Sequence, residues 1–136
     1  MVSRVEKSIE LHRKGYNCAQ AVACAYCDLV GVDEDTMFKM AEGFGAGMGG
    51  MEGTCGAVSG AVLLAGMVNS HGKEARDSKA STYRLSKAIR LAFKEKNQSV
   101  ICKELKGVET KKVLRTCDGC IEDAAAIVET LLFEQK

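Results

Sequence analysis

The sequence predicts an all-α fold: a single compact, bundle-like domain of about five to six helices with one glycine-rich loop. Three observations carry that expectation. The chain contains no proline, so nothing in it forces a helix to break at a fixed point. Apolar residues recur at i, i+3, i+4 and i+7 along much of its length, and no run alternates with the period of two that a half-buried strand needs. Glycine, 14 residues in all, punctuates those periodic runs. At 136 residues the chain suits one domain with one core, and no repeat or linker divides residues 1–136.

Ser3-Arg4-Val5-Glu6 has the form of a capping box. It would start a first helix with Val2, Val5, Ile9 and His12 on one face, ending at Gly15. His12 on that face reads first as a hydrogen-bonded residue at the core's edge, and second as a ligand or proton shuttle. Asn17, with Gln20 three residues on, caps a second helix. From Cys18 to Val30 only Gln20 and Asp28 are clearly polar, so this helix is buried nearly all round, and Gly31 ends it. Asp33 or Asp35 caps a short third helix through Met37, Phe38 and Ala41. The stretch GFGAGMGGMEGTCG, Gly43 to Gly56, is too glycine-rich for a regular element and forms the loop. A helix from Ala57 to about Val68 follows. Gly56 with Gly60, and Ala61 with Ala65, lie four apart, so small residues share a face and let another backbone approach. Asp77 or Ser78 opens a long helix to about Lys96, lined by Leu85, Ala88, Ile89 and Ala92. Ser99 caps a short turn that holds Cys102 and Leu105 and stops at Gly107. The last helix runs from about Gly119 to Glu134, with Ile121, Ala124, Ala125, Val128 and Leu132 on its apolar face.

Composition excludes several function classes. Lysine and arginine number 19 against 18 acids. That leaves no basic field for nucleic acid and no polybasic cluster for an anionic membrane. The longest apolar run, Ala57 to Val68, is broken by Ser59 and Gly60 and falls short of the roughly 20 residues of a membrane span. The N-terminal stretch alternates charge with apolar residues and lacks a signal-peptide core. The expectation is a cytoplasmic protein. Its apolar helix faces are compatible with a homodimer, though no residue pattern specifies one.

Seven cysteines are then the outlier. In a reducing compartment they serve as ligands, redox thiols or buried small hydrophobes rather than as a disulfide frame. Cys117-Asp118-Gly119-Cys120 opens the final helix, where free N–H groups and the helix dipole favour thiolate. Its C-x-x-C spacing serves thiol exchange, zinc and clusters alike. Cys55 lies between the glycine loop and the next helix. The loop's glycines, among them Gly45, Gly47, Gly53 and Gly56, are placed to aim N–H groups at a sulfur or an inorganic sulfide. The plainer reading is the tight packing of a loop that binds nothing. Gly45-Ala46-Gly47-Met48-Gly49-Gly50 matches G-x-G-x-x-G, but no strand precedes it, so it is no dinucleotide fingerprint. Cys18 sits beside a helix cap. Cys24 and Cys27 lie mid-helix about 60° apart, with Cys27 on the opposite side from Cys18, and read as core. Cys102 is ambiguous alone.

In order along nearly the whole chain, four features resemble the bacterial and archaeal C_GCAxxG_C_C family of redox-active proteins. They are Tyr16-Asn17-Cys18-Ala19-Gln20; the glycine loop running into Cys55-Gly56-Ala57-Val58-Ser59-Gly60; Cys102; and Cys117 ahead of Ala124-Ala125. The family name writes Gly-Cys-Ala where this chain has Cys55-Gly56-Ala57. The resemblance implies that Cys18, Cys55, Cys102 and Cys117 are signature cysteines, with Cys120 an extra thiol that some members share. The family is also similar to the cluster-bearing part of split-Soret cytochrome c. This chain has no C-x-x-C-H sequence, so no covalent haem is expected.

Several functions stay open. In one, Cys55, Cys102 and Cys117, with Cys18 or Cys120, hold a small iron–sulfur cluster such as 2Fe–2S for electron transfer or sensing, in exchange with a redox partner protein. In another, a metal-free thiol–disulfide oxidoreductase uses Cys117 to attack and Cys120 or Cys55 to resolve. In a third, zinc is held structurally by four of these thiolates. The plainest is a helical assembly protein whose cysteines are mostly buried.

Overall fold

The structure, a computed structural model, describes residues 1–134 and is all-helical. The elements are α1 (Val5–Arg13), α2 (Cys18–Ala25), a 3-10 turn (Cys27–Val30), α3 (Glu34–Glu42), α4 (Gly45–Met48), α5 (Gly56–Asn69), α6 (Gly72–Ala75), α7 (Lys79–Asn97), α8 (Cys102–Lys106) and α9 (Cys117–Val128), which runs on into a π-helical turn (Glu129–Phe133). The expected five to six helices understate this, because α4, α6 and α8 are short turns set into the connections.

The centre of the bundle is α2. Ala19 to Ala25 are all buried, and α1, α3, α5 and α9 pack around it. A helix with apolar residues on every side can be stable only when enclosed in this way. Asn17 and Gln20 form the capping box at its start. The closest approach is to α5, where glycines make room. A Cβ on Gly60 would lie 2.7 Å from the Ala19 carbonyl oxygen, and one on Gly56 3.1 Å from the Ala19 nitrogen.

Three expected boundaries shift, two through contacts with the distant Glu129 and one through a local cap. The helix from Cys18 does not reach Val30. It breaks at Tyr26, whose phenol turns inward to donate to Glu129 Oε2 at 2.6 Å, and the chain tightens into the 3-10 turn. The capping box at Ser3 does not form. Glu129 instead accepts from the Arg4 backbone N–H at 2.6 Å and from the Ser3 hydroxyl at 3.2 Å. The final helix starts at Cys117 rather than Gly119, because Thr116 caps it by accepting from the Gly119 N–H at 3.0 Å.

The glycine-rich stretch folds into a cramped loop. Ala46, Gly47, Met48, Gly49 and Met51 all have positive φ, so three non-glycine residues hold a backbone that costs each about 1 kcal/mol or more. A short ladder offsets this. The Cys102 N–H donates to the Gly53 carbonyl at 2.9 Å, the Cys55 N–H to Val100 at 2.7 Å and the Lys103 N–H to Met51 at 2.9 Å. Thr54 and Ile101 thus form an isolated antiparallel bridge. It sets Cys55, at the head of α5, beside Cys102, at the head of α8. Among the described residues no helix is long and apolar enough to cross a membrane.

Candidate functional site

Cys18, Cys55, Cys102, Cys117 and Cys120 come together. They line one enclosed cavity of about 30 Å³ with Gly56 and Lys106. Each sits at or near a helix start: α2 supplies Cys18, the loop before α5 Cys55, α8 Cys102, and the first turn of α9 both Cys117 and Cys120. Their elements meet at one end of the bundle, so segments far apart in sequence deliver sulfur to one place. All seven cysteines are free thiols.

The five thiols are not equivalent. Two hydrogen-bonded pairs form, Cys18 with Cys117 and Cys55 with Cys120. The C-x-x-C residues therefore do not pair with each other. Cys120 points inward to Cys55 and is 1% exposed, whereas Cys18 and Cys117 are half-buried at the mouth. In the outer pair the Cys18 thiol donates to the Cys117 sulfur. That bond, with a second from Lys106, overcomes burial and holds Cys117 down at about 5, well below the ordinary thiol value. Cys18, which keeps its hydrogen to make that bond and is partly withdrawn from water, is pushed up. In the inner pair the Cys120 thiol donates to Cys55. Despite burial, this bond and the backbone N–H groups of Ala57 and Val58 lower Cys55 to about 7. Cys120 rises in turn, for the same bond and its burial. Burial also raises Cys102. The centre thus holds one thiolate-prone and one proton-retaining sulfur in each pair.

Lys106 and His12 complete the mouth; the sequence does not mark Lys106, and it offers His12 as a ligand only on its second reading. Lys106 lies four residues after Cys102 in α8, so a helical repeat from that cysteine could have pointed to it. Its ammonium donates to Cys117, which raises its own affinity for a proton. His12 Nδ1 hydrogen-bonds Asp118 Oδ1 at 2.8 Å, and Arg13 reaches Asp118 Oδ2 at 3.2 Å. Asp118, in the C-x-x-C itself, thereby ties α1 to the start of α9. The candidate ligand atoms of His12, Cys18 and Cys117 lie within 4.8 Å of one another. That arrangement could hold a metal ion, with Asp118 orienting the imidazole in the usual manner of a metal-bound histidine.

The glycines behave differently from one another. Gly56 lines the cavity. Gly45 packs on Asn17, and Gly47 on Cys102, where an added Cβ would sit 2.5 Å from the cysteine's own. The Gly53 N–H is bound within the loop, to the Gly47 carbonyl at 2.9 Å. The N–H groups turned to Cys55 belong to Ala57 and Val58 in the first turn of α5. Cys24 and Cys27 lie away from the centre in the core, both raised first of all by burial, and Cys24 Sγ contacts the Glu34 carbonyl at 3.9 Å. His71 is exposed beside Asp77 and does not line the thiol cavity.

The fold and site define a helical protein with a multi-thiol centre gathered at helix starts. Residues 16–131 match the model of the C_GCAxxG_C_C family, described as "Putative redox-active protein", and the chain belongs to that family. Comparison with curated proteins and with solved structures gives no match to either.

Proposed function

We propose that the centre holds a small iron–sulfur cluster, 2Fe–2S, and that the protein transfers electrons or senses redox state. The observation that carries this reading is the arrangement of the thiols in two pairs. A 2Fe–2S cluster takes four thiolates, two to each iron. Cys18 with Cys117 and Cys55 with Cys120 supply two sets of two, with Cys102 alongside. A donor set made wholly of sulfur suits iron–sulfur chemistry. Lys106 and the N–H groups of Ala57 and Val58 offset the negative charge that such a group concentrates. When bound, the cluster supplies one-electron exchange with a redox partner protein. A reducing compartment, where free thiols persist, fits this reading.

The test is anaerobic purification, then an absorption spectrum with iron, zinc and sulfide analysis of one sample. Iron and sulfide near two per chain, with broad visible bands that bleach on reduction, are expected. Zinc alone would replace the reading with a structural zinc site.

A second reading has its own support in the half-exposed, thiolate-prone Cys117 beside Cys18. In thiol–disulfide exchange, the Cys117 thiolate would attack a partner's disulfide and form a mixed disulfide, releasing one partner thiolate. Cys18 would then attack that bond, lose its proton and close a Cys18–Cys117 disulfide, releasing the second partner thiol. Cys18 is placed to resolve because it already touches Cys117, whereas Cys120 is committed to Cys55. Colourless, metal-free protein that reduces a disulfide substrate in a Cys117-dependent way would favour this reading over the cluster.

A further inference from the structure

A far larger cavity lies outside the thiol centre. It is a groove of about 540 Å³ between α5 and α7, bordered by the glycine loop. Phe44, Val58, Val62 and Leu63 give it an apolar floor, and Tyr83, Lys87 and Arg90 stand along one face of α7 as its far wall. Its volume falls in the range of roughly 300–1,000 Å³ that accommodates small organic molecules. Met48 and Tyr83, at its edges, are 54% and 65% exposed. Apolar and aromatic groups left open to water around a concavity mark a binding surface.

The charge around it has one sign. No acidic residue lines the groove. Among the described residues neither Lys87 nor Arg90 has an ion-pair partner. The whole of α7 carries Lys79, Arg84, Lys87, Arg90, Lys94 and Lys96 against the single acid Glu95. An apolar cleft with two unpartnered cations on one wall is complementary to a molecule that is apolar along its body and anionic at one end.

We propose that this groove binds a small organic anion with an aromatic or extended apolar body, its acid group held by Lys87 and Arg90. Arginine presents a fork to a carboxylate or sulfonate, and lysine adds a point charge. A second copy of the chain fits less well. A two-fold contact through the groove would set both basic walls against each other with no acid between them. The site adjoins the thiol centre, because Val58 lines the floor while its backbone N–H faces the Cys55 sulfur. The proposal stands whether or not a cluster forms.

The probe is anilinonaphthalene sulfonate, an aromatic sulfonate, with phenylnaphthylamine as its uncharged counterpart. Fluorescence titration of the native protein should show one saturable site per chain. The double variant K87A/R90A, altered only at exposed positions, should weaken sulfonate binding by about tenfold or more, the loss expected for two charge-assisted contacts. It should change binding of the uncharged dye by less than about twofold. Ser86→Trp, which fills the groove, should abolish both. Circular dichroism and melting of each variant establish that it is folded. Sulfonate that fails to saturate, binds K87A/R90A as tightly as native protein, or survives Ser86→Trp overturns the proposal. So does sedimentation showing a dimer that Ser86→Trp converts to monomer, because the groove then belongs to a second copy.

Discussion

The Lys106 ammonium donates to the Cys117 sulfur, joining the last turn of α8 to the first turn of α9 at the mouth of the thiol cavity. The Cys18 thiol donates to the same sulfur and contributes more to keeping it ionised.

Lys106→Met should therefore raise the Cys117 value above about 5, and Lys106→Arg should largely preserve it. In the reduced, metal-free protein, the rate of Cys117 alkylation by iodoacetamide near pH 6, followed by peptide mass spectrometry, should fall about tenfold in Lys106→Met, one logarithmic unit of thiolate fraction. Cys18→Ala should lower it further. An unchanged pH profile in Lys106→Met would show that the lysine does not hold the thiolate.

The thiol pairs also make stability depend on pH in both directions. Cys117 and Cys55 ionise at about 5 and about 7 in the fold, against an ordinary thiol value of 9.0. Between those values the unfolded chain binds more protons, so stability rises with pH toward the ordinary thiol value and is lost as pH falls through 7 and then 5. Cys18 and Cys120 are raised instead. Their contribution is complete below the ordinary thiol value and is lost above it, where the unfolded chain ionises and the fold does not. Urea midpoints of reduced, metal-free protein should climb from about pH 6 to about pH 8.5 and decline by about pH 10.5. A level profile over the lower range would remove the thiolates from the account.

Glu129, 4% exposed, accepts from Tyr26, from the Arg4 N–H and from Ser3. Glu129→Ala removes the shared acceptor, leaving Tyr26 only its longer bond to the Ala125 carbonyl at 3.4 Å, and should cost about 3 kcal/mol in denaturant unfolding. Tyr26→Phe removes only one donor and should cost about 1 kcal/mol. Equal losses from the two would mean that the carboxylate is not the hub.

Two glycines in α5 should respond with opposite signs. Gly60→Ala drives a methyl group toward the Ala19 carbonyl and should destabilise by about 2 kcal/mol. Gly66 has nothing within 4 Å of its Cβ position, so Gly66→Ala should stabilise by about 0.5–1 kcal/mol through helix propensity alone. A stable Gly60→Ala protein would refute the close α2–α5 crossing.

Local chemistry was readable in the sequence wherever it stayed local. The Asn17–Gln20 capping box, the Asp33 cap on Thr36, the stop at Gly31 and the burial of Cys24 and Cys27 follow from neighbours a few residues apart. Apart from the Thr116 cap, which starts α9 two residues early, the missed features are those decided by distant competitors. Ser3 has the local pattern of a cap, yet Glu129, 126 residues away, takes both its hydroxyl and the N–H that opens the helix. Tyr26 breaks an otherwise continuous apolar helix for the same carboxylate. Gathering five cysteines required no contact to be known, because helix starts were enough to mark most of them. Their pairing did, since a C-x-x-C motif draws attention to Cys117 and Cys120 together, while the first turn of α9 turns one outward to Cys18 and the other inward to Cys55. Lys106 was hidden as one cation among many until α8 was placed by its bridge to the glycine loop.

The ties from Glu129 to Arg4 and from Cys117 to Cys18 have a consequence for biosynthesis. Both join segments that leave the ribosome early to segments that leave it late, and nascent chains emerge N-terminus first. Until α9 appears, α1 lacks the acceptor at its start, α2 lacks part of its cover, and Cys18 has no sulfur beside it. The sulfur centre therefore assembles only once α9 has been made: a chain truncated or stalled before α9 carries most of the cysteines but not the chamber they enclose.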